Sequence, residues 1–461
     1  MMTEKELAYE RQIPIKGNEA LRLKAFEYCE GYKDFIDNAK TEREAVEYTK
    51  NIAESNGFLP LSACSVSSGE KLYYVNNCKS VFYARIGSGS LENGVRLIVA
   101  HVDSPRLDLK QLPLFESSGI SYFKTHYYGG LKKYQWTALP LSLHGVIYKA
   151  DGEKIDICIG EDDDDPVFYI TDLMPHIAKD QYDKTLRDAI PGETLNIVNG
   201  SVPFDDEKGS VKHNILCLLN EKYGITERDF ITAELSATPA QRSRDVGFDR
   251  SMIAAYGQDD RICAYPAFTA LLDSDDSDKT RIVVFADKEE IGSVGATGMQ
   301  SHFYDNAIAE ICMLIGDTTP VATRRVLSNS KMLSSDVNAA FDPLYKQAMD
   351  KNNASMFSRG MVFCKYTGSR GKSGSNDANA EYIAELRKVM DDANVSFQIS
   401  ELGKVDIGGG GTIAYILANY NMEVIDCGVG VLSMHAPWEV TSKADIYEAY
   451  RGYIAFLKNI K

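Results

Sequence analysis

Two short apolar runs, each followed closely by side chains that can bind metal ions, constrain the fold of this 461-residue chain most. Residues 96–102 (RLIVAHV) and 281–286 (RIVVFA) are rich in branched side chains, a pattern that predicts buried strands. His101 lies near the end of the first run, and Glu289 and Glu290 follow the second. Because open α/β sheets place functional sites at the carboxyl ends of their strands, we expect a site there.

The segments around these runs predict an α/β fold with a mainly parallel sheet and helices on both of its faces. The first ~55 residues show apolar residues at helical spacing, with charged residues between them. Later patterns predict helices at residues 261–272, 376–391, 412–421 and 442–458, and a strand at residues 422–427.

The middle of the chain, residues 107–244, differs from the segments on either side. Alternating stretches such as residues 145–159 predict β structure, and no metal-type motif lies in this region. The acidic run at residues 161–165 is interpreted as a solvated loop. A chain of 461 residues is too long for one ordinary core. We therefore predict an inserted β-rich domain at 107–244 and a second domain built from residues 1–106 and 245–461.

The overall charge and the cysteine content limit the classes of partner. A net charge of −16 and a pI near 5.0 argue against nucleic acid and anionic membranes. The nine cysteines are widely spaced and form no CxxC pair, which is typical of reduced thiols in the cytoplasm. The sequence has no run of about 18 apolar residues and no apolar signal core at its N-terminus. We therefore predict a cytoplasmic protein without a membrane span.

His101 and Asp103 are two residues apart at the end of a predicted strand, so their side chains point the same way. A carboxylate beside a metal-binding histidine can accept its other ring N–H and so select the tautomer. The alternative is a buried histidine with an unrelated surface aspartate. Asp259 and Asp260 come just before a predicted helix. One carboxylate there can bridge two cations, although acidic residues also cap helices.

Glu289 and Glu290 leave their strand in different directions, so one can bind a metal ion while the other faces a water molecule as a general base. A solvated surface pair is the alternative. Asp336 in SSD and His435 in MHAPWE are unremarkable when each is considered singly. Together, two histidines and several carboxylates form a nitrogen and oxygen set. That set suits a pair of divalent ions, which can activate water, better than one structural zinc, which favours cysteine.

The order of these segments resembles one known family. AHVDSPRLDLK, FADKEEIGS, SSDVNAAFDP and MHAPWE are similar to signature segments of the aspartyl aminopeptidase and vacuolar aminopeptidase I family of co-catalytic zinc metallopeptidases, in its bacterial branch. The similarity runs from the N-terminal helices to the last helix. It implies that residues 1–106 and 245–461 form the catalytic metallopeptidase domain and that residues 107–244 serve in dimerisation.

The resemblance also implies a role for each residue of the set. Two divalent ions would be bound, zinc in the first instance, with cobalt or manganese as alternatives, and Asp259 would bridge them. Glu289 would be the general base and Asp103 would orient His101. A cis peptide is implied between Asp259 and Asp260. The other ligands would divide between the ions, with His101 and Asp336 on one and Glu290 and His435 on the other.

Three further residues are implied to contact substrate. His176 in LMPHIAKDQ would reach the active site of a neighbouring subunit, and Lys365 in VFCKY would lie near the substrate pocket. Acidic residues near the ions, Glu289 or Asp260 among them, would recognise the free amine. The assembly of the family, a tetrahedral homododecamer that encloses a chamber, is expected here too.

We therefore predict a metal-dependent aminopeptidase that removes the N-terminal residue from peptides with a free N-terminus. The DIGGGGT segment and the Asp259–Asp260 pair look like a branch in which some members prefer neutral or apolar residues, so the preferred residue stays open. Two alternatives remain: a metal-dependent deacylase or carboxypeptidase-like hydrolase on the same scaffold, and a non-catalytic oligomeric scaffold. Glu289 argues against the last, because a scaffold needs no general base.

Overall fold

The computed structural model describes residues 7–460 except 64, 65, 318, 320, 371 and 372. Two N-terminal helices confirm the helical prediction for the start of the chain. The Asn18 side chain accepts the backbone N–H of Leu21 at the start of the first helix, and a Thr41–Glu44 capping box starts the second. The helices are α1 (Glu19–Asn38), α2 (Glu42–Ser55), α3 (Lys179–Tyr182), α4 (Leu186–Ala189), α5 (Val211–Tyr223), α6 (Gln258–Leu272), α7 (Phe303–Leu314), α8 (Ala322–Ser328), α9 (Ala380–Asp392), α10 (Ala414–Ala418) and α11 (Lys443–Asn459).

Within the described residues, the strands form three sheets, of nine, seven and five strands. The strands are β1 (Leu59–Pro60), β2 (Lys71–Asn76), β3 (Ser80–Arg85), β4 (Arg96–His101), β5 (Arg106–Ser117), β6 (Ile120–Tyr128), β7 (Pro140–Tyr148), β8 (Lys154–Ile159), β9 (Phe168–Tyr169), β10 (Ile197–Gly200), β11 (Ala233–Pro239), β12 (Arg244–Val246), β13 (Met252–Ala255), β14 (Arg281–Ala286), β15 (Lys331–Ser335), β16 (Asn338–Ala339), β17 (Met361–Cys364), β18 (Phe397–Ser400), β19 (Glu423–Gly428), β20 (Gly430–Leu432) and β21 (Glu439–Ser442).

Four parallel strands, β14, β4, β15 and β19, form the middle of the nine-stranded sheet. Both apolar runs of the sequence form the predicted strands, as β4 and β14. Antiparallel pairs flank this centre, since β3 pairs with β14 on one side and β17 with β19 on the other. The whole sheet is therefore mixed, and the expected parallel order holds at its centre. Ala286 of β14 lies opposite His101 of β4, so the segments that follow both strands emerge at one edge.

Alternate residues of the central strands point to opposite faces of the sheet, and each face has its own apolar core. Ile98 and Ala100 of β4 belong to one core, which contains side chains of α1, α2, α6, α9 and α11. Leu97 and Val99 belong to the other, which contains side chains of α7, α8 and α10. Helices thus cover both faces, which explains why these strands carry nearly continuous apolar sequences.

The seven-stranded sheet lies in the region predicted as an insertion. Its order is β11-β5-β6-β10-β9-β7-β8, and β11 also pairs with β7, so six of its strands close into a ring. The ring encloses a core of its own around the fully buried Trp136. These strands all fall between Arg106 and Pro239. The exact division at residues 107 and 244, and a role of this region in dimerisation, stay predictions.

Two predicted helices are shorter in the structure than the sequence pattern indicates. The helix predicted at 376–391 begins at Ala380, because Asn376 and Ala378 donate their backbone N–H groups to the loop that contains Lys365 and Thr367. The helix predicted at 412–421 spans only Ala414–Ala418. No helix within the described residues is both long and apolar enough to cross a membrane.

A buried ion pair joins β5 of the seven-stranded sheet to α2. The Arg106 guanidinium donates to Glu42 at 3.0 Å and to Asp108 at 2.8 Å, and it stacks over the ring of Tyr128. We expect Arg106→Ala to lower the free energy of unfolding by roughly 3 kcal/mol, because Glu42 would stay buried without its main partner.

Urea denaturation measures this loss. Lys388→Ala is the control, since Lys388 and Asp392 form an exposed pair whose removal costs less than about 1 kcal/mol. A loss for Arg106→Ala no larger than that of the control would contradict the prediction.

Candidate metal centre

A cavity of about 1090 Å³ opens at the carboxyl edge of the central strands. His101 ends β4, the Glu289–Glu290 pair follows β14, and Asp336 follows β15 directly. Asp259 lies at the start of α6, and His435 lies between β20 and β21. The structure thus brings together the whole metal-type set that the sequence predicts. The members that line the cavity itself are Asp259, Glu289, Glu290, Asp336 and His435.

Both histidines present the same ring nitrogen to the carboxylates. The Nδ1 atom of His101 is 2.9 Å from the backbone carbonyl oxygen of Asp103, and that of His435 is 2.7 Å from the carbonyl oxygen of Gly130. A carbonyl accepts only, so Nδ1 donates its proton in each ring. Both Nε2 atoms face Asp259, and an ion that displaced the proton from Nε2 would bind the tautomer that these carbonyl groups select.

Asp259 lies between the two imidazole rings. Its Oδ1 atom is 3.1 Å from His101 Nε2, and its Oδ2 atom is 3.1 Å from His435 Nε2. Asp336 lies on the His101 side, with 3.8 Å between Oδ1 and Nε2, and Glu290 lies on the His435 side at 3.5 Å. The Asp259–Asp260 peptide bond is cis, as expected. One carboxylate therefore separates two similar sets of donors.

The Asp103 carboxylate connects three parts of the centre. It accepts the backbone N–H groups of both Glu289 and Glu290 at 3.1 Å and the hydroxyl of Tyr128 at 2.8 Å. One of its oxygens also lies 3.2 Å from the Nδ1 atom of His101. Asp103 is fully buried, and these interactions fix the turn after β14 relative to the end of β4.

The carboxylates of the centre are buried together, and this raises the pKa of most of them. Burial raises the pKa of Glu289 to about 8, and the negative charge of Asp336 adds to the effect. Burial also raises the pKa values of Glu290 and Asp336. The pKa of Asp259 is lowered, because hydrogen bonds from the two histidines outweigh the effect of its burial. Buried carboxylates at this density require nearby positive charge, which divalent cations supply.

The donor atoms fit divalent metal ions. In each of two trios, one ligand atom per residue lies within 4.8 Å of the others. Glu290 Oε1 is buried and makes no hydrogen bond within the described part of the chain, so it is an acceptor that a cation would satisfy. Imidazole nitrogen and carboxylate oxygen suit zinc, cobalt and manganese. The trios are His101, Glu289 and Asp336, and His101, Asp259 and Glu290.

Glu439 supports the candidate metal centre, although the sequence analysis did not identify it. Its fully buried carboxylate accepts the backbone N–H of Asp259 at 3.1 Å and that of His435 at 2.8 Å. It thereby holds one residue from each of two distant segments. Glu439 lies four residues after His435 in MHAPWE, a segment already singled out, so its place in the sequence was visible but its contacts were not. Tyr128 and Gly130 were also missed, because they come from the predicted insertion.

The three predicted substrate residues lie outside this set. Asp260 is fully buried below the centre, where its carboxylate accepts the backbone N–H of His101 at 3.3 Å. Lys365 does not line the cavity, and its ammonium group lies 4.8 Å from the ring centroid of Tyr366, which does. His176 is exposed on a short 3-10 turn, Pro175–Ile177, in the region of the seven-stranded sheet. A single chain therefore does not bring His176 to the cavity.

Two histidines and several carboxylates gathered at the carboxyl edge of an α/β sheet are typical of a metal-dependent hydrolase. The family described as aminopeptidase I zinc metalloprotease (M18) matches residues 35–457, and the chain belongs to this family. It is 54% identical over 435 residues to a probable M18 family aminopeptidase 1 of Clostridium acetobutylicum, covering 93% of this chain and 94% of the relative. The family and the reaction class predicted from the sequence, a metal-dependent aminopeptidase, are confirmed.

Solved structures of similar proteins share the whole fold. An M18 aminopeptidase from Thermotoga maritima matches with a TM-score of 0.95 and 44% identity over 98% of this chain and 100% of that one. Aminopeptidase I of Clostridium acetobutylicum matches with a TM-score of 0.92 and 49% identity, with the same coverage. An aminopeptidase 1 of yeast, described as a dodecamer, matches with a TM-score of 0.76 at 22% identity, over 93% of this chain and 96% of that one. The last match concerns the fold alone.

Asp103 offers a test of how the centre is held together. We expect Asp103→Asn to lower the affinity for zinc by about 10–100-fold, because the amide cannot accept all the N–H and O–H donors that now converge on the carboxylate. Titration of the metal-free protein against a competing chelator measures the affinity.

Tyr128→Phe removes one of these donors and is expected to lower the affinity for zinc less than Asp103→Asn does. Tyr127→Phe, at the exposed neighbouring tyrosine, is the control and should bind zinc as the wild type does. A zinc affinity of Asp103→Asn within about twofold of the wild type would show that the carboxylate does not support the centre.

Proposed function

We propose that this chain binds two divalent ions, zinc in the first instance, and uses them to hydrolyse the N-terminal residue from peptides. The position of Asp259 carries this proposal. Each of its carboxylate oxygens lies 3.1 Å from a different histidine nitrogen, which suits a carboxylate shared by two ions. His101 and Asp336 would complete one ion's ligands, and Glu290 and His435 the other's. Divalent ions at such a site lower the pKa of a water molecule and polarise the scissile carbonyl.

Glu289 is proposed as the general base. Its backbone N–H donates to the Asp103 carboxylate, as does that of Glu290, so one buried acceptor fixes the turn that carries both glutamates. Its carboxylate lines the cavity beside Asp259 and Asp336. From this position Glu289 takes a proton from the attacking water and passes it to the leaving amine. Asp103 positions His101 and the glutamate turn rather than taking part in proton transfer.

The walls of the cavity support a preference for neutral N-terminal residues. Beyond the centre, the described residues of the lining include three carboxylates, Asp377, Glu401 and Asp426, and one cation, Arg370. An acidic substrate side chain would meet like charge there, which is unfavourable. Apolar side chains of the lining include Val337, Val362, Leu402, Val405 and Met434.

Assembly into a homododecamer, with His176 of one subunit near the centre of another, is the proposed quaternary arrangement. The dodecameric yeast protein of the same fold supports it. Apolar side chains around His176 are also exposed on the single chain, including Met174 (53%) and Ile177 (65%), as expected of a covered interface. Substrate contacts by His176, Lys365 and Asp260 stay predictions. The described cysteines are free thiols, which supports the proposed cytoplasmic location.

Replacing the proposed base tests the mechanism. We expect Glu289→Gln to lower kcat by about 10²–10⁴-fold, because the amide cannot take the proton from water. Its metal content, measured by mass spectrometry of the purified protein, should equal that of the wild type. Glu290→Gln is the comparison, since loss of a proposed ligand should lower both metal content and activity. Full activity of Glu289→Gln would remove this residue from the mechanism.

A substrate panel tests the reaction itself. After reconstitution with zinc, cobalt or manganese, we expect leucyl p-nitroanilide to be hydrolysed at least about 10-fold faster than the aspartyl and glutamyl compounds, because the lining repels acidic side chains. N-acetylated substrates should not react. Hydrolysis of the blocked substrates alone would favour the deacylase alternative. Binding of two ions without any hydrolysis would favour a scaffold.

A further inference from the structure

A second cluster of metal-type side chains shares no residue with the candidate metal centre. It lies where α2 meets strands β7 and β8 of the seven-stranded sheet and consists of Glu44, His144 and Cys158. His144 and Cys158 face each other directly across the antiparallel β7–β8 pair. One carboxylate oxygen, one ring nitrogen and the Sγ atom lie within 4.8 Å of one another. We refer to these three residues as the junction cluster.

Other contacts already position Glu44 and His144. Glu44 Oε2 accepts the backbone N–H of Thr41 at 2.9 Å in the capping box of α2, which leaves Oε1 facing the His144 ring at 2.7 Å from Nδ1. The other ring nitrogen, Nε2, lies 3.0 Å from Glu161 Oε1. Lys40 in turn donates to the same Glu161 oxygen at 2.6 Å. His144 is 2% exposed, so these neighbours define its environment.

The arrangement around the imidazole matches that of a metal ligand. A histidine that binds a metal donates its other ring N–H to a carboxylate or carbonyl, which fixes the tautomer. Glu161 is such a carboxylate at Nε2, so Nδ1 beside Glu44 becomes the ligand nitrogen. Glu161 therefore supports the histidine and is not itself a ligand.

We propose that Glu44, His144 and Cys158 bind a zinc-type divalent cation, distinct from the ions of the catalytic centre. Three protein ligands leave one tetrahedral position for water. Imidazole and thiolate select zinc, cobalt and similar ions over magnesium and calcium. Ideal zinc distances place the ligand atoms roughly 3.3–3.6 Å apart, so Glu44 Oε1 and His144 Nδ1, now 2.7 Å apart, must separate by roughly 0.7 Å to admit the ion. Cys158 is exposed and can adjust the position of its Sγ atom by a change of rotamer.

The charges of the junction cluster balance with the ion present. Binding displaces one proton from the imidazole and one from the thiol, so the two positive charges of the ion replace two protons. Glu44 and the thiolate of Cys158 then neutralise the ion, and Glu161 remains paired with Lys40.

The ion would connect two parts of the molecule. The apolar side of α2 packs in one core of the nine-stranded sheet, and β7 belongs to the core of the seven-stranded sheet. One ligand comes from the first part and two from the second. A bound ion would therefore stabilise the junction between the proposed catalytic domain and the insertion, and it would not enter the reaction.

Cobalt distinguishes this site from the catalytic centre. The proposed ligands of the centre are nitrogen and oxygen only, so a thiolate-to-cobalt charge-transfer band in the near ultraviolet can arise only from a cysteine ligand. The full-length protein, stripped of metal by a chelator and kept reduced, is titrated with Co²⁺. We expect the band in the wild type and its loss in Cys158→Ser. Cys78→Ser, at another exposed cysteine outside the cluster, is the control and should keep the band.

Zinc content gives a second readout. Cys158→Ser and His144→Gln should each bind one zinc ion fewer per chain than Cys78→Ser, and zinc should raise their melting temperature less. Peptide hydrolysis at saturating zinc should stay within about twofold of the wild type, which separates this site from the proposed function. A wild-type protein that regains activity with cobalt but shows no charge-transfer band would overturn the proposal and leave His144 as an ion-pair partner. Equal bands in the wild type and Cys158→Ser would overturn it too.

Discussion

The arrangement of the candidate metal centre depends on the hydrogen bonds that the Asp103 carboxylate accepts. It lies after the last residue of β4 and accepts two consecutive N–H groups from the turn that follows β14. Strand pairing aligns these two strands as far as His101 and Ala286, but Asp103, Glu289 and Glu290 come after that point. The buried Asp103 carboxylate, which binds both segments, therefore fixes the residues that follow the two strands relative to each other. The Tyr128 hydroxyl, at the end of β6 of the seven-stranded sheet, donates to the same carboxylate.

The candidate centre places several buried carboxylates close together, and the surrounding protein does not neutralise their negative charge. Its carboxylates are buried beside one another, and most have raised pKa values as a result. The neutral tautomer of each histidine is selected by a backbone carbonyl, at Asp103 for one ring and at Gly130 for the other. Metal-binding geometry is therefore prepared by groups that are not ligands. The junction cluster uses the same device with a carboxylate, Glu161, in place of the carbonyl.

Much of this site was predictable because its candidate ligands lie next to segments with clear local patterns. Apolar runs predicted β4 and β14, and both strands formed with nearly the expected bounds. Helix lengths were predicted less well: residues 376–379 resemble a helix start in sequence but instead pair with a loop ten residues earlier. Glu439 is buried and accepts hydrogen bonds from Asp259 and His435, but no sequence pattern predicted these contacts. Its role depends on β13 pairing with β21, which no local pattern specifies.

The sequence by itself determined the types of donor, their order and the strands that carry them, because those follow from side-chain chemistry and short-range periodicity. Family resemblance added the roles and the cis peptide. Only the tertiary structure decided which nitrogen of each histidine faces the carboxylates, that Asp259 lies between the rings, and that Asp260 is buried below them. It also brought Glu44 to His144, 100 residues away. Strand register and helix docking are set by packing across the whole molecule, and no window of sequence contains that information.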